Sequence, residues 1–218
     1  MELNTFHLFA GTGGGILADI LLGHRPVGAV EIEEHPRKVL LQRQLDGVLP
    51  RFPVWDDVRT FRADNPECSG YVERLRAIRD RLCVCGGFPC QDISAAGKRA
   101  GIEGERSGLW GEMARIVGEV RPRYVLVENS PMLLSPRNRR FLLLKVVASL
   151  FGRIRVREIV SLWFRPDVLR VLGDFAQMGY DARWGIVGAH HAGAPHKRDR
   201  IWILAHSRHG AGRDERAA

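Results

Sequence analysis

Short apolar runs alternate with amphipathic stretches along most of this chain, and the alternation predicts strand and helix in turn. Phe6 to Ala10 is an apolar run that stops at GTGGG, Gly11 to Gly15, and ILADILLG follows with helical spacing up to Gly23. VGAVEIEEHP reads as a second strand ending in an acid, Glu31, and Pro36 to Leu45 as a helix. VWDDVRTF carries a third short strand, with Asp56 and Asp57 near its end. Tyr71 to Arg81 has helical periodicity, LCVCGG is a fourth strand and LWGEMARIVGEV an amphipathic helix. YVLV, Tyr124 to Val127, is a fifth strand ending in Glu128-Asn129-Ser130. Pro166 to Met178 is helical, and ARWGIVGA and IWILA are two further strands joined by HHAGAPHKRDR. An open α/β sheet accounts for this order, and in such sheets ligands gather at the carboxyl ends of the strands.

Two stretches break the rhythm. After Ser94 the sequence AAGKRAGIEGERSG is rich in glycine and charge with almost nothing apolar, and a loop of that length is functional or disordered as a rule. Between Leu133 and Arg165 eight basic residues stand against one acid, which accounts for nearly all of the chain's formal net charge of +8. A basic balance favours a polyanionic partner, but here it is local. The 218 residues suffice for one domain with a sizeable core. We expect that domain over 1–205, with a basic insertion at about 133–165 and a polar tail at 206–218.

Composition excludes several classes. The four cysteines, Cys68, Cys83, Cys85 and Cys90, show neither a C-x-x-C pair nor a cluster with zinc spacing, so neither a disulfide framework nor a metal site is expected. MELNTFHLFAG lacks the basic lead of a signal peptide. FLLLKVVASLF is too short to span a bilayer and carries Lys145, so a soluble protein without membrane contact is expected.

Candidate chemistry falls at the strand tips. In GGFPCQDIS, Gly86 to Ser94, a cysteine follows a proline on a tight loop after an apolar strand. Cys90 so placed can act as a nucleophile if its thiolate is favoured, or be a buried small hydrophobe. The glycines of GTGGG let a backbone approach a ligand at a helix start, though the spacing is neither a dinucleotide fingerprint nor a P-loop, and a tight structural turn explains it as well. Glu31, about twenty residues on, stands where an acid holds ribose hydroxyls in dinucleotide folds; a solvated acidic loop is the alternative. Asp57 can accept from an exocyclic amine or cap a helix. Glu128, on a neighbouring strand tip, is a candidate acid, and Arg198 and Arg200 would face an anionic ligand or a base edge, or sit on a solvated hairpin.

Taken in order, FAGTGG, Glu31, Asp57, FPCQ, ENS and the R-x-R of PHKRDRIWILA resemble the catalytic half of the C5-cytosine DNA methyltransferases, from Phe6 to about Ala205. The resemblance implies an α/β, class I S-adenosylmethionine-dependent methyltransferase fold, a Rossmann-like sheet with helices on both faces. It implies S-adenosylmethionine as cofactor and double-stranded DNA as partner. Phe9, Gly11 and Gly13 would shape the cofactor pocket, Glu31 hold the ribose, Ile32 pack on adenine, Asp57 accept from the adenine amine and Leu109 touch the cofactor. Cys90 would add to C6 of cytosine, Glu128 serve N3, and Arg200 with Arg198 hold the cytosine carbonyl. The target base would be flipped out of the duplex, with the loop from Ala95 to Gly108 closing over it.

Departures from the family pattern shape the functional expectation. Ser130 stands where the family usually has valine, and His196 where it usually has glutamine. The sequence stops after the last strand, without the family's target-recognition domain, so a second polypeptide carrying that domain is an expected partner. An inactive or truncated fragment, and methylation of RNA or a free nucleotide, stay open. The basic stretch could supply phosphate contacts through Arg153, Arg155 and Arg157, or be an acquired insertion. A restriction-modification or phage setting, in the cytoplasm of a bacterial or phage-infected cell, is the implied context.

Overall fold

The computed structural model describes residues 1–89, 109–134 and 167–208, and in it seven strands form one sheet in the order β3-β2-β1-β4-β5-β7-β6. β1 (Asn4–Leu8) runs between β2 (Arg25–Val30) and β4 (Leu82–Gly86), parallel to both. β3 (Val54–Trp55) extends the sheet beside β2, and β5 (Tyr124–Asn129) lies parallel to β4. β7 (Arg200–Ser207) enters antiparallel between β5 and β6 (Tyr180–Val187). Parallel neighbours need crossovers, and helices supply them: α1 (Gly14–Leu21), α2 (Glu34–Leu45), α3 (Ser69–Ala77) and α4 (Leu109–Val120), with α5 (Asp167–Gln177) leading into β6.

Because side chains alternate across a strand, the two sheet faces carry different cores. On one, Phe6, Leu8, Val84, Val125 and Val127 pack against Val72 and Leu75 of α3, Met113 and Ile116 of α4, and Val171 and Phe175 of α5. On the other, Ile16 of α1 and Leu40 of α2 close over Ala29, with Leu49 and Phe52. The α4 pattern explains why that helix forms and where it lies: Trp110, Met113, Ile116, Val117 and Val120 recur at helical spacing and all are buried. Each such side chain contributes about 1.5–3 kcal/mol when removed from water. Helices thus cover both faces, as expected.

The boundaries differ from the sequence reading in ways that matter at the site. β5 runs past Val127 to Asn129, because β7 continues the ladder with Glu128 opposite Trp202 and Asn129 opposite Ile201. β3 is only Val54–Trp55, because the Asp57 carbonyl accepts the N–H groups of Thr60 and Phe61 and turns the chain away. β7 reaches Ser207, so His206 and Ser207 pair with Asp181 and Tyr180 and belong to the sheet, not to the tail. Among the described residues no helix is long and apolar enough to cross a membrane. Residues 135–165 of the basic stretch, including Arg153, Arg155 and Arg157, lie outside the described residues.

Candidate active site

The glycine loop turns β1 into α1 through a run of left-handed backbone. Phe9 (φ 56°), Gly11 (φ 54°) and Gly13 (φ 92°) all have positive φ, which costs a side-chain-bearing residue such as Phe9 but not glycine. At Gly13 there is a second reason for glycine: a Cβ there would stand 2.7 Å from Leu40 Cδ2, where α2 packs on the loop. Gly11 is different, since nothing lies within 4 Å of where its Cβ would be.

Glu31, just beyond β2, is 7% exposed and faces this loop. Its Oε2 accepts the Gly11 N–H at 2.6 Å and its Oε1 the Glu33 N–H at 2.9 Å. The Arg37 guanidinium donates to the Glu31 carbonyl at 3.0 Å and also to that of Ile32. Ile32 is left 50% exposed beside the buried carboxylate, an apolar platform next to a pair of acceptors. Glu31 is therefore no solvated loop acid. Asp57 lies after β3 in a local turn, Oδ1 accepting the Arg59 backbone N–H at 2.9 Å. Leu109 opens α4 and packs on the core from its edge.

The second half of the site forms where β4 and β5 end and β7 begins. Gly87 lies directly against Glu128, so that a Cβ there would stand 2.8 Å from Glu128 Oε2. Arg200 Nε, at the start of β7, meets Glu128 Oε1 at 2.6 Å. On the opposite face of β5, Asn129 is 2% exposed; its Nδ2 donates to the Phe88 carbonyl at 3.1 Å, and its Oδ1 accepts the Ser130 N–H at 2.7 Å. Phe88 packs on Trp110, whose Nε1 donates to Asp174 at 2.7 Å. The root of the cysteine loop is thus fixed as far as Phe88. Cys90 itself and the loop from Ala95 to Gly108 lie outside the described residues. Arg198 is exposed with φ 35° and has no side-chain partner among the described residues, and His196 is exposed beside it.

The sequence reading missed Asn129 as a tie, although the ENS block contains it, because its partner is forty-one positions away, at Phe88. It also missed a buried polar cluster beneath α1. His7 Nε2 and Asp19 Oδ2 are 2.5 Å apart, and Cys83 Sγ is 3.7 Å from Cys85 Sγ. Burial pushes the Asp19 carboxyl up, but the hydrogen bond and charge of His7, with help from Thr5 and His24, outweigh it and leave the pKa below the usual value. The Cys85 thiol is pushed well up by the Cys83 contact and by burial.

The C-5 cytosine-specific DNA methylase family model matches residues 3–153. Curated relatives include the Type II methyltransferase M.CviJI of Paramecium bursaria Chlorella virus IL3A, 30% identical over 207 residues, covering 94% of this chain and 43% of the relative. The Type II methyltransferase M.Sau96I of Staphylococcus aureus is 26% identical over 203 residues, covering 93% of this chain and 38% of the relative. The chain therefore spans less than half the length of these relatives. Among solved structures, a protein described as a prophage-encoded DNA modification methyltransferase of E. coli superposes with a TM-score of 0.64 at 22% identity, covering 94% of this chain and 47% of that one. The S. pombe Dnmt2 methyltransferase superposes with a TM-score of 0.59 at 16% identity, covering 95% and 50%. At these identities the structural likeness establishes the fold, a class I Rossmann-like sheet. The family match over residues 3–153 goes further: this chain belongs to the C-5 cytosine-specific DNA methylase family, whose methyl donor is S-adenosylmethionine.

Proposed function

We propose that this chain is the cofactor-binding and catalytic part of a DNA (cytosine-5-)-methyltransferase that works through a covalent cysteine adduct. The observation that supports the reading most is the Glu128–Arg200 pair, whose Glu128 lies against Gly87, three positions before Cys90 in the chain. It places an acid and a guanidinium beside the root of the loop that carries the thiol.

C5 of cytosine is a poor nucleophile, so electron density has to be pushed into the ring. In the proposed cycle the Cys90 thiolate forms a bond from Sγ to C6, while Glu128 gives a proton or a hydrogen bond to N3, so that the ring carries no unbalanced charge. Arg200 and Arg198 hold the cytosine carbonyl and the charge near the thiolate. C5, made nucleophilic in this way, would take the methyl group that the donor supplies as the donor's sulfur–methyl bond breaks; loss of the C5 proton to solvent base, return of any N3 proton to Glu128 and rupture of the bond from Sγ to C6 would then restore the thiolate and the aromatic ring. The base has to leave the duplex stack for this to happen.

The tips of β1 and β2 fit the family's methyl donor, which supplies an electrophilic methyl group. Gly11 leaves open space, Glu31 offers two carboxylate oxygens with lone pairs to spare, and Ile32 presents an exposed apolar side chain beside them. Phe9, Gly11, Gly13, Glu31, Ile32, Asp57 and Leu109 are the residues proposed to hold it, Glu31 at the ribose hydroxyls and Asp57 at the adenine amine.

The test is transfer of labelled methyl from S-adenosylmethionine to mixed-sequence double-stranded DNA, wild type beside Cys90→Ala, followed by nucleoside analysis. Label in 5-methylcytosine that the alanine abolishes supports the reading. Label that survives Cys90→Ala, or that appears in another nucleoside, overturns it. A second reading is that a further polypeptide supplies target recognition. Cofactor binding without transfer, restored by adding such a polypeptide, is its signature.

A further inference from the structure

The face of β1 and β4 that lies under α1 holds a polar cluster that the proposed methyl transfer does not use. The parallel register sets Thr5 opposite Cys83 and His7 opposite Cys85, and strand alternation turns all four side chains to one face. Asp19 of α1 meets His7 there. Donor atoms of His7, Asp19 and Cys85 all lie within 4.8 Å of one another, and Cys83 Sγ is 3.7 Å from Cys85 Sγ. None of the four residues is more than 9% exposed.

A thiol alone packs as a small hydrophobe, so neither cysteine by itself says anything. The set does. Imidazole, carboxylate and thiolate are each donors that zinc takes, and here one of each converges. Thr5 Oγ1, on the same face in a residue 1% exposed, lies near enough to Asp19 to help lower its pKa but makes no hydrogen bond of normal geometry. A buried polar atom left this way calls for an explanation such as an ion or water.

We propose that His7, Asp19 and Cys85 bind a zinc ion that clamps β1, α1 and β4 together. Binding would release the Cys85 thiol proton to solvent and replace the proton shared by His7 and Asp19 with the metal, their atoms parting as they become separate ligands. The ion's place is structural. His7 lies just before the Phe9 turn and Cys85 just before Gly86, so one ion would brace the roots of both halves of the site. Sequence spacing gives no hint of it, because Cys85 of β4 finds its partners on β1 and α1. The inference stands independently of the methyltransferase reading.

The full chain as purified would be assayed for metal by plasma mass spectrometry, then stripped and titrated with Co2+. One equivalent of zinc, and a cobalt complex with tetrahedral visible bands and a thiolate charge-transfer band, are expected. Cys85→Ser should lose the charge-transfer band, while Cys90→Ser and the His190→Ala, His191→Ala double variant keep it. Folded wild type without stoichiometric metal or a cobalt–thiolate band overturns the proposal, as does a band that survives Cys85→Ser. Should Cys85→Ser not fold, X-ray absorption of wild type loaded with zinc decides: sulfur scattering at about 2.3 Å supports the site, and nitrogen and oxygen ligands alone refute it.

Discussion

Arg200 Nε lies 2.6 Å from Glu128 Oε1, and the contact joins a parallel strand to an antiparallel one. Arg200 stands one step beyond the last pair of the β5–β7 ladder, Asn129 with Ile201, so the register itself delivers the guanidinium to the carboxylate. The two side chains are 31% and 33% exposed. An ion pair that open to water contributes about 0.2–1 kcal/mol, so stability is a poor account of it. Chemistry at the rim is a better one.

Arg200→Ala should therefore separate activity from stability. We expect kcat to fall by roughly 100-fold or more, the scale for losing a donor at developing charge, and the melting temperature by no more than about 4 °C, the equivalent of about 1 kcal/mol in a chain of this size. Arg200→Lys should recover little, because a lysine offers no planar fork. Both quantities are measured on one preparation. A large melting shift with kcat nearly intact would make the pair structural.

Asn129→Ala should do the reverse. It leaves the Phe88 carbonyl without its donor among residues each 2% exposed. An unsatisfied buried group costs about 1–3 kcal/mol, and the root of the Cys90 loop loses its tie to β5. Urea denaturation should show that loss, and activity should fall with it. Asn129→Asp, which keeps the shape but not the donor, should be no milder; a stability equal to wild type would dismiss the tie.

The contrast between these residues also explains what could be read from the chain beforehand. Among the described residues every strand and α-helix falls, give or take a few residues at its ends, where the chain predicts one, because burial on one face or two imposes a period on the order of apolar residues; the short 3-10 turns at Pro131–Leu134 and Ala189–Ala192 carry no such period and were not read. Glu128 and Arg200 were legible as candidates, since each closes or opens an apolar strand. Their pairing was not, because a sequence carries no statement of which strand β7 lies beside. For the same reason the Asn129–Phe88 tie and the His7–Asp19–Cys85 cluster were invisible: each joins elements whose neighbourhood only the sheet order decides. Glu31 was legible as an acid at a strand tip, but one of its two backbone donors, the Gly11 N–H, comes from a left-handed turn twenty residues earlier in the chain.

Two glycines of the same loop should respond differently to alanine. At Gly13 the new Cβ meets Leu40 Cδ2 at 2.7 Å and the backbone has φ 92°, so Gly13→Ala should destabilise the fold by roughly 2 kcal/mol or more through strain and displaced packing. At Gly11 there is open space, and only the φ of 54° opposes alanine, a cost of about 1–2 kcal/mol. Gly11→Ala should instead weaken S-adenosylmethionine binding, because its Cβ would occupy the space assigned to the cofactor. Isothermal titration alongside thermal melting distinguishes the two. Equal cofactor affinity in Gly11→Ala and wild type would move the cofactor away from this turn.

Alkaline pH should loosen the fold through two tyrosines. Burial pushes Tyr71 and Tyr180 up to about 12, with Arg74 and Arg121 pulling weakly the other way. Their hydroxyls donate to the carbonyls of Val27 and Pro122, bonds that a phenolate cannot make. In the unfolded chain both titrate near 10. Above that value the unfolded state releases protons that the folded state retains, so stability falls with rising pH. The contribution is whole below about pH 10 and is lost as pH climbs toward 12. Urea midpoints measured from pH 8 to 11.5 should hold level and then drop, and Tyr180→Phe should flatten the drop. Absorbance at 295 nm should show phenolate forming in the native protein later than in urea. Coincident titrations in the two states would mean that neither hydroxyl is held as described.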